Sequence, residues 1–94
     1  MDAVALAKQC PETTFVLDHC GNADPYIVSG MDDPGTEPDG SPFWHTRQGW
    51  LNAISTLGAQ SNVVCKISGI VARIREGWNA ETLAPTIDTC LDSF

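Results

Sequence analysis

Three features of the sequence predict an α/β fold built on parallel strands. Strand-like apolar runs alternate with helix-like segments, the pattern that builds βαβ units with right-handed crossovers. The two runs, within Thr13–Asp18 and Asn62–Gly69, are apolar without clean alternation, as strands buried on both faces are. Each run also ends on polar residues, Asp18-His19 in one and Lys66-Ile67-Ser68 in the other. Ninety-four residues make one domain at most. Two strands are too few for a parallel sheet covered on both faces, so the chain reads as a slice of a larger fold.

The segment Asp2–Gln9 holds good helix formers, with Asp2 placed to cap the first turn and Pro11 placed to stop the helix. Because Met1 enters almost directly into that helix, it is expected to be an internal methionine or a gene-model start. Thr13 to Asp18 is β-branched and aromatic and reads as the first strand. Asp24 to Gly40 carries three prolines, three glycines and five acids with no basic residue, and the expectation is a loop insert over 22–41. Loops longer than about 12–15 residues in compact domains are usually lids or inserts.

Ser41-Pro42 has the form of an N-cap followed by proline at the first helical position. Phe43, Trp50, Ile54 and Leu57 follow at i, i+7, i+11 and i+14, so an amphipathic helix is expected from there to Gly58. Asn62 to Gly69 is the second strand. Ile70 to Trp78 reads equally as loop or short helix. Asn79 is placed to cap a last helix whose apolar face is Leu83, Ile87, Cys90, Leu91 and Phe94.

Five basic against twelve acidic residues give a net charge of −7. That balance excludes a nucleic-acid surface, which needs clustered Lys and Arg, and equally an anionic membrane surface. No apolar run approaches the roughly 20 residues of a membrane span, and no secretory leader opens the chain, so a cytoplasmic protein is expected. Cys10, Cys20, Cys65 and Cys90 are widely spaced with no C-x-x-C pair, and three lie in apolar segments. They read as reduced core thiols, and the spacing disfavours a zinc site made from them.

His19 follows directly on a strand, where parallel α/β folds bind ligands, and Asp18 beside it could orient its ring. It reads as a metal ligand or general base, or more plainly as a loop histidine with one backbone bond. Lys66 shares a strand face with Val64, while Cys65 and Ile67 face the other way. It could bind an anionic substrate or act as a tuned base, or simply extend to water. Trp78 could line a pocket, whereas His45, in the expected helix's first turns, reads as surface or packing rather than ligand. The acidic loop fails the calcium-loop spacing, and no self-sufficient catalytic motif is present.

Taken together, PETTFVLDHCGN, the Trp-bearing helix, SNVVCKISGI, W-N-A-E-T-L-A-P and I-D-T-C-L-D-S-F resemble the amidohydrolase-related family of metal-dependent hydrolases. Within that family the pattern is most similar to the sugar-lactone and pyrone-dicarboxylate lactonases. The resemblance covers nearly the whole chain except the acidic loop. It implies a partial (β/α)8 TIM barrel, about two βα units from the fifth and sixth strands.

It also implies hydrolysis of a cyclic ester (lactone) or a related C–O or C–N bond, with water activated at the barrel mouth. His19 matches the fifth-strand histidine, catalytic and metal-ligating. Lys66 matches a polar position offered by the next strand, catalytic or substrate-binding; Trp78, from its place in the loop after Lys66, is the other expected substrate-binding residue. A divalent metal (Zn or Mn) is implied for the complete protein, although some lactonases of this branch work without one. The HxH pair and the G-S-D-W-P segment of the family are absent from these residues. One ligand cannot hold a catalytic metal, so these 94 residues alone are expected to be inactive and to bind metal poorly.

The alternative is a small non-catalytic acidic α/β module, or a degenerate remnant, that joins a partner chain. A small-molecule substrate and self-association through exposed strand edges complete the expected partners. The isolated chain is expected to be marginal in stability, oligomeric or molten.

Overall fold

The computed structural model describes residues 2–36 and 38–94; Met1, and Glu37 among the loop's acids, lie outside the described residues. Helix α1 (Ala3–Gln9) leads into strand β1 (Phe15–Leu17), a single turn α2 (His19–Asn22), a short helix α3 (Pro25–Val28) and helix α4 (Arg47–Gly58). Strand β2 (Val63–Cys65), a 3-10 turn η1 (Ile70–Arg73) and helix α5 (Ala80–Ser93) complete the order. The two strands pair in parallel, Phe15 with Val63, Val16 with Val64 and Leu17 with Cys65. The fold is therefore mixed α/β with a parallel pair, as the alternation predicts.

The caps follow from the side chains. Asp2 accepts a bond from the Val4 amide at 2.9 Å. Asn79 and Thr82 form a reciprocal capping box at the start of α5. The end of α1 is held from a distance: the Asn62 amide nitrogen, with two hydrogens to share, lies 2.9–3.0 Å from the carbonyls of Ala7, Cys10 and Thr13. One side chain just before β2 thereby ties the helix end to the following turn.

One face of the strand pair is covered by helices. Phe15, Leu17 and Val63 pack with Ala7 and Leu57, and Leu17 also meets the main cluster around Val28, Trp50, Ile54 and Ile70. The opposite face is open: Val16 is 60% and Val64 46% exposed, side by side in register. This corrects the expectation of strands buried on both faces. The apolar pattern belongs to a strand with two covered faces, but the described residues supply helices for only one.

Two further expectations need correction. The helix does not open at Ser41-Pro42. Ser41 makes only a local turn, its hydroxyl accepting from the Phe43 amide at 3.2 Å, and Phe43 is exposed rather than on the buried stripe. Helix α4 begins after Thr46, whose hydroxyl caps the Gly49 amide at 3.0 Å. Nor is 22–41 only a loop. Asp24 caps α3 through the Tyr26 amide with Pro25 at the first helical position, and all four residues of α3 are buried.

Bonds from outside the acidic segment hold it down. The Arg47 side chain donates to the Val28 carbonyl at 2.8 Å, the Trp44 indole to the Pro34 carbonyl at 3.0 Å, and the Asp24 amide to His45 Nε2 at 3.0 Å. Arg75 pairs with Asp32 and lies over the Tyr26 ring, 3.7 Å from its centroid. The cations missing from the segment are supplied by α4 and by the connection before α5.

Candidate active site at the strand ends

Both strands point their carboxyl ends the same way, so the polar residues that follow them meet. Asp18 is still extended, but His19, Cys20, Gly21 and Asn22 all have positive φ, from 53° to 67°. The chain makes one left-handed turn here, a conformation that costs about 1–2 kcal/mol per non-glycine residue. Surrounding bonds hold it in place. The Cys20 amide continues the strand ladder by donating to the Lys66 carbonyl at 3.1 Å. From α4, the buried Trp50 indole donates to the Cys20 carbonyl at 2.9 Å. The helix-facing core thereby fixes the turn that presents His19.

The His19 ring is engaged at both nitrogens. Nδ1 lies 2.9 Å from the Ser68 hydroxyl and Nε2 lies 3.3 Å from the Asp18 carboxylate. The other Asp18 oxygen is 3.6 Å from the Lys66 ammonium. Gly69, at φ 72°, lies flat against the ring, and a Cβ there would overlap the imidazole. The spacing in K-I-S-G thus has a geometric reason: Lys66 meets the carboxylate, Ser68 meets the imidazole, and Gly69 makes room for it. Asp18, His19 and Lys66 are all about half exposed, so these ion pairs contribute position more than stability.

Of the residues expected from the sequence, His19 and Lys66 come together through Asp18. Trp78 does not join them by any bond among the described residues: it is half exposed, and its amide donates to the Arg75 carbonyl at 3.3 Å. His45 is a packing residue, with Nδ1 against the Thr46 carbonyl at 3.1 Å and Nε2 against the Asp24 amide. Ser68 and Gly69 escape a reading of the sequence alone. Their signal is the Ser-Gly pair three residues beyond the end of β2, just after Lys66.

Beneath this cluster, on the helix-facing side, three sulfurs converge. All four cysteines are free, and those of Cys20, Cys65 and Cys90 lie within 4.8 Å of one another. Burial, and then the neighbouring thiols, raises the Cys90 thiol far above its ordinary value of 9.0, and burial raises Cys65 as well. A thiol that holds its proton more tightly when folded favours the folded state until the unfolded chain begins to ionise. The thiols' contribution to stability is therefore expected to be level below about pH 9 and to fall as pH rises beyond it. Urea midpoints between about pH 7 and about pH 11 test this, and Cys90→Ala should flatten the fall. A midpoint that holds steady across that range would contradict it.

No described helix is long and apolar enough to cross a membrane. A family model described as Amidohydrolase matches residues 1–94. The uncharacterized protein y4mH of Sinorhizobium fredii is 27% identical over 89 residues, which cover 95% of this chain and 24% of that protein. The chain therefore spans about a quarter of the length of this curated relative. No solved structure matches it. The match runs through both strand ends, and with it the cluster around His19 acquires a lineage: the chain belongs to the amidohydrolase family.

Proposed function

We propose that residues 1–94 are an incomplete segment of a (β/α)8 barrel hydrolase, two βα units that carry part of its active site. The observation that carries this reading is the convergence of Asp18, His19, Lys66 and Ser68 at the carboxyl ends of two parallel strands. Barrel enzymes place catalytic groups at that end. The open face of Val16 and Val64 supports it too, since in a barrel that face turns toward the packed interior.

The substrate in this reading is a cyclic ester or a related C–O or C–N compound, and the reaction is hydrolysis. His19 acts at the substrate carbonyl or holds a divalent metal, Zn or Mn, through Nε2. The donor set fits such an ion in part: one imidazole and the Asp18 carboxylate, against about three protein ligands in catalytic zinc sites. A bound ion would supply Lewis acidity and an activated water. The Ser68 hydroxyl orients the ring by accepting from Nδ1–H, as partners of metal-binding histidines do. Lys66 anchors a substrate carboxylate or hydroxyl, and Trp78 lines the approach. Four free cysteines, spaced widely along the sequence, support a reducing, cytoplasmic setting.

The test is kinetic, in the gene product that includes any in-frame sequence on either side of these residues. His19→Ala is expected to lower kcat/KM for a lactone or ester by about 1,000-fold or more, comparable with loss of a key electrostatic group. Lys66→Ala is expected to raise KM with kcat largely kept. Full activity in His19→Ala would overturn the reading. The exposed Val16 and Val64 also favour a second one, a non-catalytic module that associates with itself or a partner through the sheet. That reading predicts no turnover of any ester or lactone.

A further inference from the structure

The three converging cysteines come from separate parts of the chain. Cys20 sits in the left-handed turn, Cys65 ends β2, and Cys90 lies on the buried face of α5. Cys20 and Cys90 are 0% and 1% exposed, and Cys65 is half-buried. Cys10, at the end of α1, is not one of the group. Along β2, Cys65 and Lys66 face opposite sides, so the sulfurs lie on the helix side of the sheet, away from the Lys66 ammonium.

A second observation lies one helical turn from Cys90. Thr86 is 0% exposed, and its hydroxyl has no hydrogen-bond partner among the described residues. It precedes Cys90 by one turn on the same face of α5. A buried hydroxyl is normally satisfied, and an orphaned one needs an explanation.

We propose that Cys20, Cys65 and Cys90 form a three-sulfur binding site for a thiophilic divalent ion of the zinc class, with the Thr86 hydroxyl as a donor to the bound sulfurs. Zinc–sulfur bonds of about 2.3 Å in tetrahedral geometry set sulfurs about 3.8 Å apart. The sulfurs are already within 4.8 Å, so closing on an ion needs shifts of about 1 Å or less. Binding releases a proton from each of the three thiols, and three thiolates with one divalent cation leave one net negative charge. The core cluster that holds them is hydrophobic, and a hydroxyl donor to the bound sulfurs would stabilise that charge without cancelling it. Three soft donors select zinc over the hard manganese ion. A bound ion would tie the turn that carries His19 to β2 and α5.

The experiment uses the reduced, chelator-treated gene product, including any in-frame sequence on either side of these residues. Zinc is titrated against a chromophoric chelator, and cobalt is added to a second sample as a spectroscopic stand-in. One sulfur-bound ion per chain is expected, with sulfur-to-cobalt charge transfer of three-thiolate intensity; manganese should not displace it. Cys20→Ser, Cys65→Ser and Cys90→Ser should each weaken zinc by about 100-fold or more, at least what loss of an outer-shell partner costs. Cys10→Ser and His19→Ala should leave it unchanged. Because the serine variants could unfold, the wild-type cobalt spectrum stands independently of them. Absence of uptake, a cobalt spectrum without thiolate charge transfer, or binding abolished by Cys10→Ser or His19→Ala would each overturn the proposal.

Discussion

Replacing Trp50 by alanine is expected to cost about 3–5 kcal/mol, the range for truncating a buried large aromatic. That is a large part of the roughly 5–15 kcal/mol that holds a domain folded, so the variant should be molten or unfolded at room temperature. Trp50 is 4% exposed and packs in the main cluster with Ile54 and Val28. Its indole also donates to the Cys20 carbonyl inside the left-handed turn. Trp50→Phe separates the two contributions. It keeps an aromatic ring but removes the donor, and an orphaned buried carbonyl costs about 1–3 kcal/mol. Chemical denaturation of the three proteins checks this. If Trp50→Phe matched the wild type, the indole bond would not be holding the turn.

The second large effect is expected at Gly69. Alanine there takes on the left-handed backbone penalty of about 1–2 kcal/mol and also drives a Cβ into the His19 ring. Gly77 provides the control. It has a similar positive φ of 86° with nothing within 4 Å of where a Cβ would sit, so Gly77→Ala carries the backbone penalty alone. Gly69→Ala should be the more destabilising of the two. Its His19 ring resonances should also move in an NMR spectrum, while those of Gly77→Ala stay in place. Equal costs and an unmoved His19 ring would show that Gly69 does not shape the site.

Local signals carry much of the architecture. Asp2 and Asn79 mark real caps, the two apolar runs are the two strands, and the stripe of Trp50, Ile54 and Leu57 is the buried face of α4. Each depends on residues within a few positions of one another, so the sequence exposes them. The start of α4 differs from its sequence expectation because Ser41-Pro42 and Thr46 both have capping chemistry, and only packing chooses between them. Asp24-Pro25 does carry the signature of α3, but four residues are too short for periodicity to speak.

The site divides in the same way. From the sequence come His19 and Lys66 as residues at strand ends, the parallel arrangement that brings strand ends together, and the family resemblance that the match over residues 1–94 bears out at the family level. The tertiary structure alone decided that Asp18 bridges the two, that Ser68 and Gly69 frame the imidazole, and that four consecutive residues turn left-handed under Trp50. It alone brought together cysteines at positions 20, 65 and 90. The reason is range. Caps and periodicities are set by neighbours along the chain. The meeting of sulfurs, or of a carboxylate with a lysine dozens of residues away, is set by strand register and helix packing, and no local pattern encodes those.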